Sequence, residues 1–498
     1  MCDNIRGFRA HAVRPYLTPD SLHSPLMIYD LAVIGGGTGG LVSAVAAKSL
    51  GANVVLIERE RVGGECLWTG CVPSKTLIKS AKVFDLVNRA AEFGVHAEKP
   101  RALWNAIRLR IKDVQDEIKK LEKNEIAKAG LEIINGDAVF LDANTLRVQT
   151  KSGAQTVSAK KFILSIGLQT RVPKIDGLQE SGFITNRDVF DLPSLPRTMI
   201  ILGGGSQGCE FAQAFARLGT KVTLIHRGER LLPREDVEVS NLAHRVLEQS
   251  GVAVFTNANV QNVAREDGER AIVAFMQNGE NQTAEATRIL VATGKVADYS
   301  GLKLSEIGVQ WDEKGLIVDE HLRTTLDHIW ACGDCTGRNL WTHAAEHEAK
   351  IAVQNALLPL KKKLDNRVTP RATFLDPECA SVGLDEETAN IEYSKCKVFR
   401  SEFKTLDRAI IEGETQGFCK VVCTSSGVIV GAHIVGASAA ELIHPFVAAV
   451  RDGMTISEFG DTMHVYPTMS EIAHRIGNDS YRELLDNKSV KWALKKLI

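Results

Sequence analysis

Residues 31–34 form a short apolar run that ends at Ile34 and is closed at once by Gly35, Gly37 and Gly40. The pattern predicts a buried strand, a glycine turn and a helix over 41–50. A second apolar strand follows at 53–57 and is closed by Glu58. The same strand, loop and helix recur at 198–216, with Gly203, Gly205 and Gly208 in the loop and another strand at 221–225. Two Rossmann-like α/β units are therefore expected. Between them, Ile107, Ile111, Val114, Ile118 and Leu121 recur at helical spacing through the charged stretch 104–128, which predicts one long packed amphipathic helix. Residues 132–150 read as strands, and 161–167 should return to the first sheet. A helix is expected at 344–358, then a solvated lysine linker at 361–363. Beyond about 367, strands at 420–423 and 428–435 and a helix at 439–451 predict an α+β domain.

The glycine loops carry chemistry. Three glycines at this spacing let the backbone approach a pyrophosphate at a helix N-terminus, and an acid at the end of the next strand holds the ribose. Glu58 fills that role in the first unit, eighteen residues beyond Gly40. In the second unit the matching position is His226, followed by Arg227 and Arg230. A 2′-hydroxyl calls for an acceptor and a 2′-phosphate for cations, so NADPH is expected there in preference to NADH.

Composition narrows the class. The chain has 498 residues, 44% hydrophobic and 24% charged, and its 60 basic and 61 acidic side chains leave a net charge of -1. Several packed domains are expected, and neither nucleic acid nor an acidic membrane is an electrostatically favoured partner. No apolar run reaches about 18 residues. The leader carries Arg6, Arg9 and Arg14 among prolines and acids and reads as a disordered extension, with Met27 an alternative start. Ten cysteines are scattered along the chain apart from one tight pair, Cys66 and Cys71, so a reducing, cytoplasmic setting is expected. Four intervening residues are compatible with a bridge closing one helical turn, small and easily reduced, which reads as catalytic. A metal site would need further ligands nearby, and none is predicted.

The stretch Gly63-Gly64-Glu65-Cys66-Leu67-Trp68-Thr69-Gly70-Cys71-Val72-Pro73-Ser74-Lys75 resembles the active-site motif of the class I pyridine nucleotide-disulfide oxidoreductases, among them glutathione reductase, dihydrolipoamide dehydrogenase and mercuric reductase. The likeness extends over about 28–480 and includes Ser165-Ile166-Gly167, Ala292-Thr293-Gly294 and Ala331-Cys332-Gly333-Asp334. It implies a homodimer that binds FAD in the first unit and a nicotinamide nucleotide in the second. Cys66 would be the interchange thiol and Cys71 the thiol in charge-transfer contact with the flavin. Lys75 would lie near flavin N5, paired with Glu210. Asp334 would hold the ribitol, Thr342 would open the helix facing the pyrimidine, and Gly64, Gly167 and Gly294 would belong to the cofactor loops. The implied organisation is an extension at 1–27, FAD-binding segments at 28–172 and 301–366 with a small central domain in the latter, a nucleotide domain at 173–300, a dimerisation domain at 367–480 and a basic tail at 481–498.

Family disulfide reductases carry a His-Pro-Thr motif whose imidazole, supplied by the other subunit and held by a glutamate, exchanges a proton with the interchange thiol. Here the run is His464-Val465-Tyr466-Pro467-Thr468-Met469-Ser470-Glu471, with Tyr466 at the base position and Glu471 at the acid position. A phenol titrating near 10 is a poor proton acceptor. His464, two residues earlier, is the alternative acceptor or else a packing histidine. A tyrosine here resembles mercuric reductase, where a thiophilic ion is the acceptor. However, no cysteine follows Cys423 to form that enzyme's C-terminal pair. A disulfide, a thiophilic metal ion or a quinone remain as small-molecule acceptors, beside a dihydrolipoamide dehydrogenase-like activity and a flavoprotein redox sensor. The basic tail is expected to dock or fray rather than touch a membrane.

Overall fold

The computed structural model describes residues 28–266, 268–486, 491–492 and 495–496; the predicted N-terminal extension and residues 487–490, 493–494 and 497–498 of the basic tail lie outside them. Leu31–Ile34 is buried at every position and pairs in parallel with Val54–Glu58 on one side and Phe162–Leu164 on the other. Glu132–Asp142 adds beyond Val54–Glu58, and Ile329–Ala331 closes the far edge, which gives five parallel strands. Strands covered on both faces read as unbroken apolar runs, which is why these were legible as such. Glu132–Asp142 then bends into an antiparallel meander with Thr145–Thr150 and Gly153–Ala159.

The segment 301–366 is not a separate body. Ile329, Trp330, Ala349 and Ile351 share one hydrophobic core with Val33, Leu56 and Ile163. The helix Thr342–Leu357 lies against the helix Thr38–Ser49. The run 361–363 is likewise tied down: the Lys361 ammonium donates to the Asn355 and Leu358 carbonyls at the end of that helix. The long helix spans Trp104–Ala129 and buries Trp104 and Ile111; Leu121, expected on its packed stripe, is exposed.

In the second unit Thr198–Leu202 is flanked by Lys221–Ile225 and Arg288–Val291, all parallel, with Ala253–Phe255 at the edge. A meander of Ala258–Glu266, Arg270–Gln277 and Glu280–Ala286 is added to it. The chain leaves and re-enters the first domain along a two-stranded ribbon, Gln169–Thr170 against Lys295–Val296.

The C-terminal domain is a five-stranded antiparallel sheet in the order Arg371–Thr373, Glu378–Gly383, Ile429–Gly436, Phe418–Thr424, Cys396–Glu402. The helix expected at 439–451 is two helices, Ala439–Leu442 and His444–Asp452. Pro445 lies in the first turn of the second one, where its missing N–H costs nothing. A buried lysine, Lys420, joins this sheet to the nucleotide domain through Asp236 (3.0 Å) and Glu238 (2.9 Å). No described helix is long and apolar enough to cross a membrane.

Candidate active site

In the first glycine loop, Gly35 has φ +97°, and a Cβ there would stand 2.2 Å from the Ser165 carbonyl oxygen. A Cβ on Gly40 would stand 1.8 Å from the Gly35 oxygen. The chain itself forbids side chains at these two positions. Gly37 is different, since a Cβ there would meet nothing nearer than the Gly64 Cα at 3.9 Å. Its bareness leaves the N-terminus of the helix Thr38–Ser49 open to a phosphate. The Glu58 carboxylate is aimed over this loop, accepting from the Gly36 and Glu60 N–H groups, each at 2.6 Å. These residues fit the adenosine and pyrophosphate of FAD. Further along, Asp334 is pushed up to about 6, first by burial and then by Glu65. The Glu348 carboxylate, which the sequence did not reveal, accepts from the Gly333 N–H at 2.8 Å, and burial pushes it up to about 7.

The second loop repeats the steric logic. Cβ atoms on Gly203 and Gly208 would stand 2.3 and 1.9 Å from backbone oxygens, whereas Gly205 has nothing within 4 Å. His226 Nδ1 accepts from the Gly204 N–H at 3.1 Å, the bond that Glu58 makes to Gly36 in the first loop. Burial, with a contribution from Arg227, lowers the His226 pKa and so favours the neutral imidazole. Arg227 is exposed. Arg230 instead lines a pocket with Asp236, Asp385 and Glu386 at the seam with the C-terminal domain. Gly167 and Gly294 are both left-handed, at φ +64° and +104°, with open space where side chains would be.

Cys66 sits on the short helix Gly64–Trp68, and Cys71 is the first residue of the helix Cys71–Asn88. Both are thiols here, the reduced form of the expected couple. A helix N-terminus favours a thiolate at Cys71. The Thr342 hydroxyl lies 3.3 Å from the Cys71 sulfur, at the start of the helix Thr342–Leu357. One turn beyond Cys71, the Lys75 ammonium donates to the Glu210 carboxylate at 2.8 Å. The other oxygen of Glu210 accepts from the Phe374 N–H (2.9 Å), and Lys75 lies 4.7 Å over the Phe374 ring. Three domains thus meet at this lysine. Burial works against its charge, but Glu210 and Cys71 outweigh burial and raise its pKa.

Cys71 is lowered to about 6, chiefly by a hydrogen bond from the Cys66 thiol, which outweighs burial, with further help from Lys75. Cys66 is pushed up, first by holding the proton it shares with Cys71 and then by burial. The couple therefore carries one negative charge above about pH 6 and loses it on acidification. Thr342→Val is expected to move that midpoint up by about half a unit, read from thiolate absorbance in a pH titration of the reduced enzyme; an unmoved midpoint removes Thr342 from the account.

The C-terminal site residues lie elsewhere. The Tyr466 hydroxyl donates to Asp407 at 2.8 Å, which raises the phenol's pKa. His464 bonds through Nδ1 to the Thr462 carbonyl (2.9 Å), with its ring 5.8 Å from that of His474. The two residues have separate partners. Glu471 begins the helix Glu471–Asp486, and its Oε2 is buried without a hydrogen-bond partner among the described residues. Among the described residues, no hydrogen bond links any of the three to Cys66 or Cys71 of the same chain. Tyr466 is exposed, along with Met463 and Val465. Two further contacts escaped the sequence: Lys295 and Asn186 both donate to Glu65. Among the described residues no group of three His, Cys, Asp or Glu gathers as a metal site.

Two dinucleotide loops, a thiol couple at a helix N-terminus and a lysine clamped behind it define a flavin- and pyridine-nucleotide-linked disulfide oxidoreductase. The chain belongs to the pyridine nucleotide-disulphide oxidoreductase family, whose description it matches over residues 29–349, and it carries that family's dimerisation domain over 369–475. It is similar to mercuric reductase from Streptomyces lividans, 34% identical over 89% of this chain and 94% of that protein. It is equally similar to dihydrolipoyl dehydrogenase from Chlorobaculum parvum, 36% identical over 89% of this chain and 95% of that protein. Among solved structures, LpdA from Mycobacterium tuberculosis superposes with a TM-score of 0.83 at 28% identity, covering 90% of this chain and 99% of that one. The Cu(II) complex of the HOCl-induced flavoprotein disulfide reductase RclA from Escherichia coli gives 0.81 at 27%, covering 91% and 99%.

Proposed function

We propose that this protein, as a homodimer, oxidises NADPH and passes the electrons by way of FAD and the Cys66–Cys71 couple to a thiophilic metal ion. FAD, where bound, would supply the two-electron chemistry that links the nicotinamide to the Cys66–Cys71 disulfide. Gly37 and Gly205 leave the two helix N-termini open to the cofactor pyrophosphates, Glu58 would accept from the FAD ribose, and Arg227 would meet a 2′-phosphate. Lys75, held by Glu210, faces the negative charge that appears on reduction.

The observation that carries the choice of acceptor is the hydrogen bond from Tyr466 to Asp407. It commits the phenol as a donor and raises its pKa, so it supplies no base at neutral pH. Thiol–disulfide exchange needs proton transfer at the interchange sulfur. A soft cation does not, because binding to sulfur itself displaces the one proton that the couple retains. The likeness to mercuric reductases and to a reductase solved with Cu(II) supports the same reading.

The test is NADPH oxidation with Hg²⁺ or Cu²⁺, against oxidised glutathione and lipoamide, in wild type and Tyr466→His. Turnover with the ions is expected in wild type, and Tyr466→His should raise disulfide turnover by about a hundredfold, the usual scale of general acid–base catalysis. A wild-type preference for either disulfide overturns the proposal. It would favour the dihydrolipoyl dehydrogenase-like reading, in which His464 takes the proton and His464→Ala removes activity.

A further inference from the structure

The peptide between the cysteines is gripped by side chains that play no part in the chemistry above. Glu65, next to Cys66, accepts at one oxygen from the Lys295 ammonium and from Asn186 Nδ2 (3.0 Å). The same Asn186 amide donates to the Thr69 carbonyl at 3.1 Å, and its Oδ1 accepts from the Thr170 hydroxyl at 3.2 Å. Thr170 and Lys295 are cross-strand partners on the ribbon by which the chain leaves and re-enters the first domain. Both strands of the ribbon therefore hold the cysteine turn, at positions on either side of Cys66. The grip is shielded from water on the Asn186 and Lys295 side and partly open at Glu65: Asn186 is 1% exposed, the Lys295 side chain 15% and the Glu65 side chain 32%.

The charges around the sulfurs make this more than a tether. The groups facing the couple are Lys75 on its own helix, Glu210 from the nucleotide domain, the hydroxyls of Thr38 and Thr342, and Asp334. Glu65 lies beside Cys66 in sequence and acts on Asp334 together with Lys295 and Cys71. Lys75 is taken up by Glu210. Lys295 is then the cation that offsets Glu65. A carboxylate without that partner would oppose a second negative charge on the neighbouring sulfurs, whereas a paired one opposes it much less.

We propose that Glu65 and Lys295 are a positioning pair for the cysteine couple: their ion pair fixes the Cys66 turn against the interdomain ribbon and, by cancelling the adjacent carboxylate, keeps the couple ionised. The inference rests on reading Cys66 and Cys71 as the redox couple and does not depend on the acceptor.

The experiment is the rate of iodoacetamide alkylation against pH on the anaerobically reduced holoenzyme, with the modified cysteine located by peptide mass. Lys295→Gln strands Glu65 and is expected to move the alkylation midpoint up by about one pH unit; Glu65→Gln strands Lys295 and should move it down by about half a unit. The double variant and Lys295→Arg should both return close to wild type. A tie that is only mechanical would give equal loosening of FAD in both single variants and shifts of the same sign, or none, and either result overturns the pair. If Lys295→Gln does not fold, Glu65→Gln and Lys295→Arg still decide, because a midpoint unmoved by Glu65→Gln, or displaced by Lys295→Arg, is equally fatal. A wild-type enzyme in which neither cysteine ionises below about pH 8 would instead sink the parent reading of the couple.

Discussion

Cys71→Ser is expected to keep its FAD and lose acceptor turnover by a thousandfold or more, on the order seen when an activated nucleophile is removed. A serine hydroxyl at this helix start stays protonated at neutral pH, so it can neither form the disulfide nor share the Cys66 proton. Cys66→Ala, which unlike serine leaves no hydroxyl to donate in place of the thiol, should lose turnover to the same degree but differ in its titration. Cys71 would keep its helix N-terminus and Lys75, yet lose the Cys66 hydrogen bond that is the largest contribution to its low pKa. Its midpoint should rise well above about 6. Steady-state NADPH oxidation and a thiolate titration check both. If Cys71→Ser retains more than about a tenth of wild-type turnover, electrons reach the acceptor without passing through the couple.

The second large effect separates a cofactor cradle from a packing constraint within a single loop. Gly40→Ala places a methyl group 1.8 Å from a backbone oxygen that has nowhere to go, and should destabilise the first domain by about 3 kcal/mol. Gly37→Val meets no such obstacle in the protein, since a Cβ there has only Gly64 at 3.9 Å. It should fold with near-normal stability and bind FAD on the order of a hundredfold more weakly, about 3 kcal/mol, the worth of two charge-assisted bonds to phosphate. Thermal melts of apoprotein and flavin content after gel filtration distinguish the two. Equal flavin retention in Gly37→Val and wild type would mean that no phosphate sits on this helix.

Much of the architecture was legible because it is written locally. The strands Leu31–Ile34 and Lys221–Ile225, the glycine loops and the helix Trp104–Ala129 rest on apolar runs, backbone freedom and a 3.6-residue period, each confined to one continuous stretch of chain. The break in the helix near Pro445 was missed although its cause is local: apolar periodicity continued through a residue that begins a new helix. The return of 301–366 to the first domain was implied by the family resemblance, but no local signal of the sequence carries it. A single edge strand, Ile329–Ala331, carries the chain back beside Phe162–Leu164, and a strand's neighbour leaves no mark in its own sequence.

The sequence by itself carried the two glycine loops and the close spacing of Cys66 and Cys71, because each depends on residue types at short, rigid spacings, while the reading of Tyr466 as the base position rests on the resemblance to the family. Only the tertiary structure decided what surrounds them. Glu65 meets Lys295 across 230 positions of chain, Glu210 meets the Phe374 N–H across 164, and Tyr466 finds Asp407 while remaining exposed and unconnected to its own cysteines. Ion pairs and hydrogen bonds of this kind carry no periodicity; they exist only where packed domains bring a donor and an acceptor within about 3 Å of each other.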